Sequence, residues 1–119
     1  MLEAATRWKL KPLTLAHPLR GGEGINLEPL ERLHGVVHGN VQGVGFRYFL
    51  IREAHRLGLR GWVRNRDDGT VEFVAEGSRS DLEQLKRAAE LAPAPARVDR
   101  VDDRWSPASG GLDGFELTG

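Results

Sequence analysis

"HGNVQGVGFRYF", residues His38 to Phe49, sets glycines at positions 39, 43 and 45 just ahead of Arg47. Upstream, "RLHGVVHG" (Arg32 to Gly39) alternates weakly and is rich in valine, which predicts a strand. Downstream, Phe46, Phe49, Leu50, Ala54 and Leu57 recur at helical spacing, and Gly58 offers a left-handed C-terminal cap. A strand, a glycine-rich turn and a helix N-terminus together make an anion site. Glycine permits positive φ and close backbone approach. The amides such a turn frees can point inward as a nest. The first helical turn leaves its own N–H groups unpaired and carries partial positive charge. Phosphate is the usual guest of this construction. Arg47 stands in that first turn, against the helix dipole, and a bound anion would neutralise it. Its planar fork can hold two phosphate oxygens at once. A Walker loop would need Gly-Lys-Ser/Thr, and the dinucleotide fingerprint would need G-x-G-x-x-G; this stretch has neither. On spacing alone the alternative stays open, a tight turn that uses glycine for geometry only.

The remaining elements follow in order. "LRGWVRN" (Leu59 to Asn65) predicts the second strand, and "RDDGT" (Arg66 to Thr70) carries Asp-Gly hairpin chemistry. "TVEFVAE" (Thr70 to Glu76) alternates, with Val71, Phe73 and Ala75 on one face and Glu72, Val74 and Glu76 on the other. Ser80 and Glu83 have the spacing of a capping box. Leu82, Leu85, Ala89 and Ala92 make the apolar stripe of a second helix, which "PAP" (Pro93 to Pro95) stops. "RVDRVDDRW" (Arg97 to Trp105) predicts the fourth strand, "SPASGGLDG" a loop and "FELT" a short last strand. The order β-α-β-β-α-β with a terminal strand predicts an α+β, ferredoxin-like sandwich: an antiparallel sheet with two helices on one face.

A chain of 119 residues with 39% hydrophobic and 29% charged residues suits one globular domain. No apolar run approaches the roughly 18 residues of a membrane span. The N-terminus lacks the apolar core and cleavage site of a secretory signal. There is no cysteine, which excludes disulfides and thiolate chemistry. The zero net charge argues against a life on nucleic acid. A cytoplasmic monomer is the expectation. Residues 1–30 keep no period for long, and Pro12, Pro18 and "RGGEG" (Arg20 to Gly24) interrupt them. They read as an N-terminal extension or leader to a domain at 31–119. "LEPLERL" (Leu27 to Leu33) could form a helical turn at the junction.

"VHGNVQGVGFRYF" (Val37 to Phe49) resembles the signature of the acylphosphatase family, and "GLRGWVRNRDDGTVEFVAEG" (Gly58 to Gly77) resembles its second signature. "SGGLDGFEL" is similar to the usual ending of that family. Asp103 departs from the pattern, because the family tends to be apolar there. The resemblance implies a ferredoxin-like fold and hydrolysis of the carboxyl–phosphate anhydride of a small-molecule acyl phosphate, giving carboxylate and inorganic phosphate. It implies direct attack by water, with no metal, cofactor or phosphoenzyme. Arg47 and the amides of Asn40, Val41, Gln42, Gly43, Val44, Gly45 and Phe46 would hold the phosphoryl oxygens. Asn65 matches the family's water-positioning asparagine; without the resemblance it would read as a turn residue before "RDDG".

Other residues point elsewhere only at first sight. His34 and His38 share a strand face but lie about 13 Å apart, at roughly 3.3 Å per residue, too far for one ion. Asp67 and Asp68 read as turn formers. "RGWV" (Arg60 to Val63) begins like an RNA-recognition strand, but Arg64 and Asn65 break the match. The rival class is therefore a non-catalytic anion- or RNA-binding module of the same fold. Release of phosphate from an acyl phosphate separates the two.

Overall fold

The computed structural model describes residues 28–119. The expected leader lies outside them up to Leu27. Among the described residues the elements are β1 (Glu31–Asn40), α1 (Phe46–Leu57), β2 (Arg60–Asn65), β3 (Val71–Gly77), α2 (Arg79–Glu90), β4 (Arg97–Pro107) and β5 (Phe115–Leu117). The junction does not become a helical turn: Glu31 to Leu33 already pair with β3 and β4. Sheet pairing fully satisfies backbone groups that a single isolated turn would leave half open.

The sheet runs β4-β1-β3-β2-β5. β1 is antiparallel to β3 and β4, and β2 is antiparallel to β3. The last pair departs from the expected antiparallel sheet, because β5 lies parallel to β2. β4 and β5 occupy opposite edges, so the connecting chain has to traverse the width of the sheet. It arrives at the end where β2 begins, with the Gly61 amide donating to the Gly114 carbonyl at 2.8 Å, and continues in the direction of β2.

Alternation within the strands decides which face the helices cover. Leu33 and Val37 of β1, Val63 of β2, and Val71, Phe73 and Ala75 of β3 are fully buried. They meet Phe46, Leu50 and Ala54 of α1 and Leu82, Leu85 and Ala89 of α2 in one core. Each large side chain buried in this way contributes about 1.5–3 kcal/mol. Gly35 has no room for a side chain, since a Cβ there would lie 2.4 Å from the Phe73 ring. The α1 stripe ends as expected at Gly58, in the left-handed region at φ 71°. At α2 the cap is two residues earlier than the sequence suggested. Ser78 is the N-cap and accepts from the Asp81 amide at 3.3 Å, whereas Ser80 is already helical. β3 ends at Gly77, so the Ser78-to-Asp81 spacing takes the capping role.

The face away from the helices is a polar network on which even the charged residues of β3 are shielded. Val74 and Glu76 are each 3% exposed, because β3 is the central strand. His34 and Trp62 flank Val74 directly on the neighbouring strands. His34 pairs with Glu72 and His38 with Asp102, so the two histidines are separate strand residues. Asp103 is exposed on β4; the Trp105 indole donates to it at 2.9 Å and the Lys86 ammonium lies 3.9 Å away. No described helix is long and apolar enough to cross a membrane.

Glu76 fastens the traversing chain. It accepts from Arg32 Nε, the Ser109 amide and the Ser109 hydroxyl at 2.8–2.9 Å, and from the Gly110 amide at 3.2 Å. Burial pushes its carboxyl up, but these donors, led by the Ser109 amide and Arg32, hold it below the usual carboxylate value. A depressed folded pKa lends stability that is present above the unfolded value, about 4.3, and is lost as pH falls through the folded one. Glu76→Ala is therefore expected to cost about 2–3 kcal/mol at pH 7, read as a lower urea midpoint at unchanged slope. The gap from the native chain should narrow as pH falls below the glutamate range. A gap independent of pH would contradict the assignment.

Candidate active site

The loop between β1 and α1 is held at both ends by the core. Val41 and Phe46 are 1% and 2% exposed, while Gly43 and Gly45 between them face solvent. Gly45 is the N-cap of α1 with φ 80°, and no side chain caps the helix. A residue with a Cβ would be strained at that φ although the space around it is open. Gly39 has a different task. A Cβ there would fall 2.0 Å from the Arg97 carbonyl, where β4 closes on β1 beside a register shift. Among the described residues, none of the amides from Gln42 to Tyr48 donates to a carbonyl or a side-chain acceptor. The first turn of α1 holds no acidic residue, and Arg47 sits in it half-buried, with no hydrogen bond or ion pair to a described residue. Unpaired amides, a helix N-terminus and an unneutralised guanidinium thus converge on one short stretch.

The hairpin after β2 supplies the second half. Asn65 ends β2, and its Oδ1 is buried with no hydrogen-bond partner among the described residues. Leaving such an acceptor unsatisfied costs about 1–3 kcal/mol. The turn beyond it is tightly closed. The Arg66 amide donates to the Thr70 carbonyl at 2.9 Å, and Asp68 Oδ1 accepts from the Thr70 hydroxyl at 2.6 Å and from its amide at 3.0 Å. The Thr70 hydroxyl first, and then its amide, hold the Asp68 carboxyl below its ordinary value. Asp68 is therefore a turn former, as the sequence suggested. One side chain joins hairpin to loop: Gln42 Nε2 donates to the Arg66 carbonyl at 2.8 Å and to the Thr70 carbonyl at 2.9 Å.

The acylphosphatase family model matches residues 33–117. The chain belongs to the acylphosphatase family. As a member it is a hydrolase acting on acyl phosphates. It is 49% identical over 88 residues to an acylphosphatase of Thermococcus kodakarensis, covering 74% of this chain and 96% of that protein. It is 46% identical over 87 residues to one of Salinibacter ruber, covering 73% and 92%. The crystal structure of the Bacillus subtilis acylphosphatase superimposes with a TM-score of 0.72 at 37% identity, covering 75% of this chain and 99% of that one.

Within this acylphosphatase fold, most of the residues singled out from sequence lie in the two segments that Gln42 ties together. Asn40 pairs with Arg97 at the end of β1 and Val41 buries its side chain in the core, so Gln42 to Gly45 lie between these anchors and α1. The Gln42 side chain was missed. Only its amide was expected to matter, and its partners lie 24 and 28 residues away, where no local pattern could reveal them. If the unpaired amides are an anion cradle, titrating the protein with inorganic phosphate should shift the Gln42 to Tyr48 amide resonances well beyond the rest. Shifts confined to surface lysines and arginines elsewhere would argue against it.

Proposed function

We propose that Arg47 and the amides of Gln42 to Phe46 bind the phosphoryl group of the acyl phosphate, and that Asn65 aims the attacking water. The guanidinium fork takes two phosphoryl oxygens, and the amides take the remaining charge. Their hold strengthens as charge redistributes in the loose transition state of phosphoryl transfer. Asn65 Oδ1 accepts a hydrogen bond from the water and orients its lone pair toward phosphorus. The oxygen–phosphorus bond forms as the bond to the carboxylate breaks. The leaving group departs as the carboxylate anion, and the water's proton ends on a phosphate oxygen. A carboxylate leaves readily, so orientation and charge stabilisation suffice, without a metal or a phosphoenzyme.

The observation that carries this reading is the orphaned, buried Oδ1 of Asn65 on the segment that Gln42 ties to the unpaired loop amides. A buried acceptor without a partner marks a place where a ligand or water belongs. We also propose that residues 1–30 are an extension dispensable for turnover. The family match begins at residue 33, and the relatives are covered over nine-tenths of their length without it.

The roles divide two mutants. Arg47→Lys keeps the charge and loses the fork, so it should weaken inhibition by phosphate and slow turnover together. Asn65→Ala spares the cradle. It should bind phosphate nearly normally while kcat falls about 100- to 1,000-fold, or roughly 2.7–4 kcal/mol. Near-native turnover in Asn65→Ala would remove asparagine from the mechanism. Deleting residues 1–30 takes away the Leu30 carbonyl that accepts from the Ala108 amide at 3.3 Å, and should leave specific activity largely intact. A truncated chain that folds but no longer turns over would show that the extension completes the site.

A further inference from the structure

We propose that the Gln42 side chain is a positioning residue that holds the phosphate loop in register with Asn65. The inference rests on the roles given above to the loop and to Asn65. Its basis is geometric. A single carboxamide spends both of its N–H donors on the carbonyls of Arg66 and Thr70, at 2.8 and 2.9 Å. Those carbonyls already close the turn, accepting from the Gly69 amide at 3.2 Å and the Arg66 amide at 2.9 Å. Gln42 is thus bonded to the closed turn of the hairpin, immediately after Asn65. Among the described residues Gln42 is the one side chain that hydrogen-bonds loop to hairpin. The backbone of Gln42 belongs to the cradle while its side chain reaches away from it, so one residue sets the distance between bound phosphorus and the aimed water. In-line attack is sensitive to that distance, since a misplacement of about 1 Å can cost about 100-fold. The turn is held by Asp68 and Thr70 independently of Gln42, and the loop by Val41 and Phe46. Losing the strut should therefore loosen the relation between the halves while each half persists.

This yields a specific kinetic pattern. Gln42→Met keeps the length and removes the donors. It should lower kcat for an acyl phosphate by roughly 10- to 100-fold, while the inhibition constant for inorganic phosphate changes little, because the cradle amides and Arg47 remain. The deciding experiment is a double-mutant cycle with Asn65→Ala. Once the aim is already lost, Gln42→Met should cost less than about threefold more. Gln42→Lys, which restores donors at the end of the chain, should recover most of kcat. Additive losses in the cycle would overturn the proposal. So would a methionine variant whose kcat is intact and whose phosphate inhibition constant rises, since Gln42 would then only shape the cradle. A lysine variant as slow as the methionine one overturns it as well. If Asn65→Ala alone leaves kcat unchanged, the mechanism itself fails and the strut falls with it, which the single mutant reveals separately. Gln42→Ala runs the same cycle if the methionine variant does not fold.

Discussion

Val41 and Phe46 are sunk into the core on either side of a four-residue loop, and that constraint shapes everything near the site. Unlike the Arg66 to Thr70 turn, which closes its amides onto its own carbonyls, this loop leaves its amides without acceptors among the described residues. Gly45 at positive φ starts the helix abruptly, so the first helical amides are also left without acceptors. Elsewhere buried backbone groups are paired almost without exception. Here the fold concentrates unpaired donors in one place and then adds Arg47, a cation at the wrong end of a helix dipole. The cation opposes the helix dipole, and in the proposed mechanism a bound phosphoryl group offsets it.

The core and the open face compensate for this local cost. The helix-covered face is a continuous apolar layer from Leu33 to Phe115. The opposite face carries ion pairs that tie neighbouring strands: Arg64 and His34 converge on Glu72, and Arg32 meets Glu76. Exposed pairs of this kind contribute little one by one. Glu76 differs because it is buried, and its four donors secure the chain that crosses from β4 to β5. That crossing lies at the end of the sheet where β2 begins, whereas Asn65 lies at the end of β2. Stability and the proposed chemistry are drawn from opposite ends of the same strand.

Much of the architecture was legible before any coordinates. Period-2 alternation in "TVEFVAE" placed Val71, Phe73 and Ala75 on one face, and all three are fully buried. Helical spacing from Phe46 to Leu57 and the glycine after it located α1 to the residue. The misreadings occurred where two signals compete within a few residues. Ser78 and Ser80 both have an acid three positions on, and only the end of β3 at Gly77 selects Ser78. "LEPLERL" has apolar spacing suited to a turn, yet from Glu31 on it is strand, because β3 and β4 offer it partners from far along the chain.

The sequence by itself determined the family, the element order, the glycine loop and the identity of the two polar side chains assigned to the reaction, Arg47 and Asn65. The element order and the glycine loop are local properties, written as spacing, periodicity and turn chemistry in neighbouring residues; Asn65 was singled out only by the family resemblance, since its own surroundings read as a turn. Tertiary structure alone decided the parallel docking of β5, the burial of Glu76 and Val74 on a face that alternation assigns to solvent, the orphaned Oδ1 of Asn65, and the bonds from Gln42 to the hairpin. All of these depend on which strands become neighbours. Strand order is set by the summed burial of one core, and no short window of sequence contains that sum.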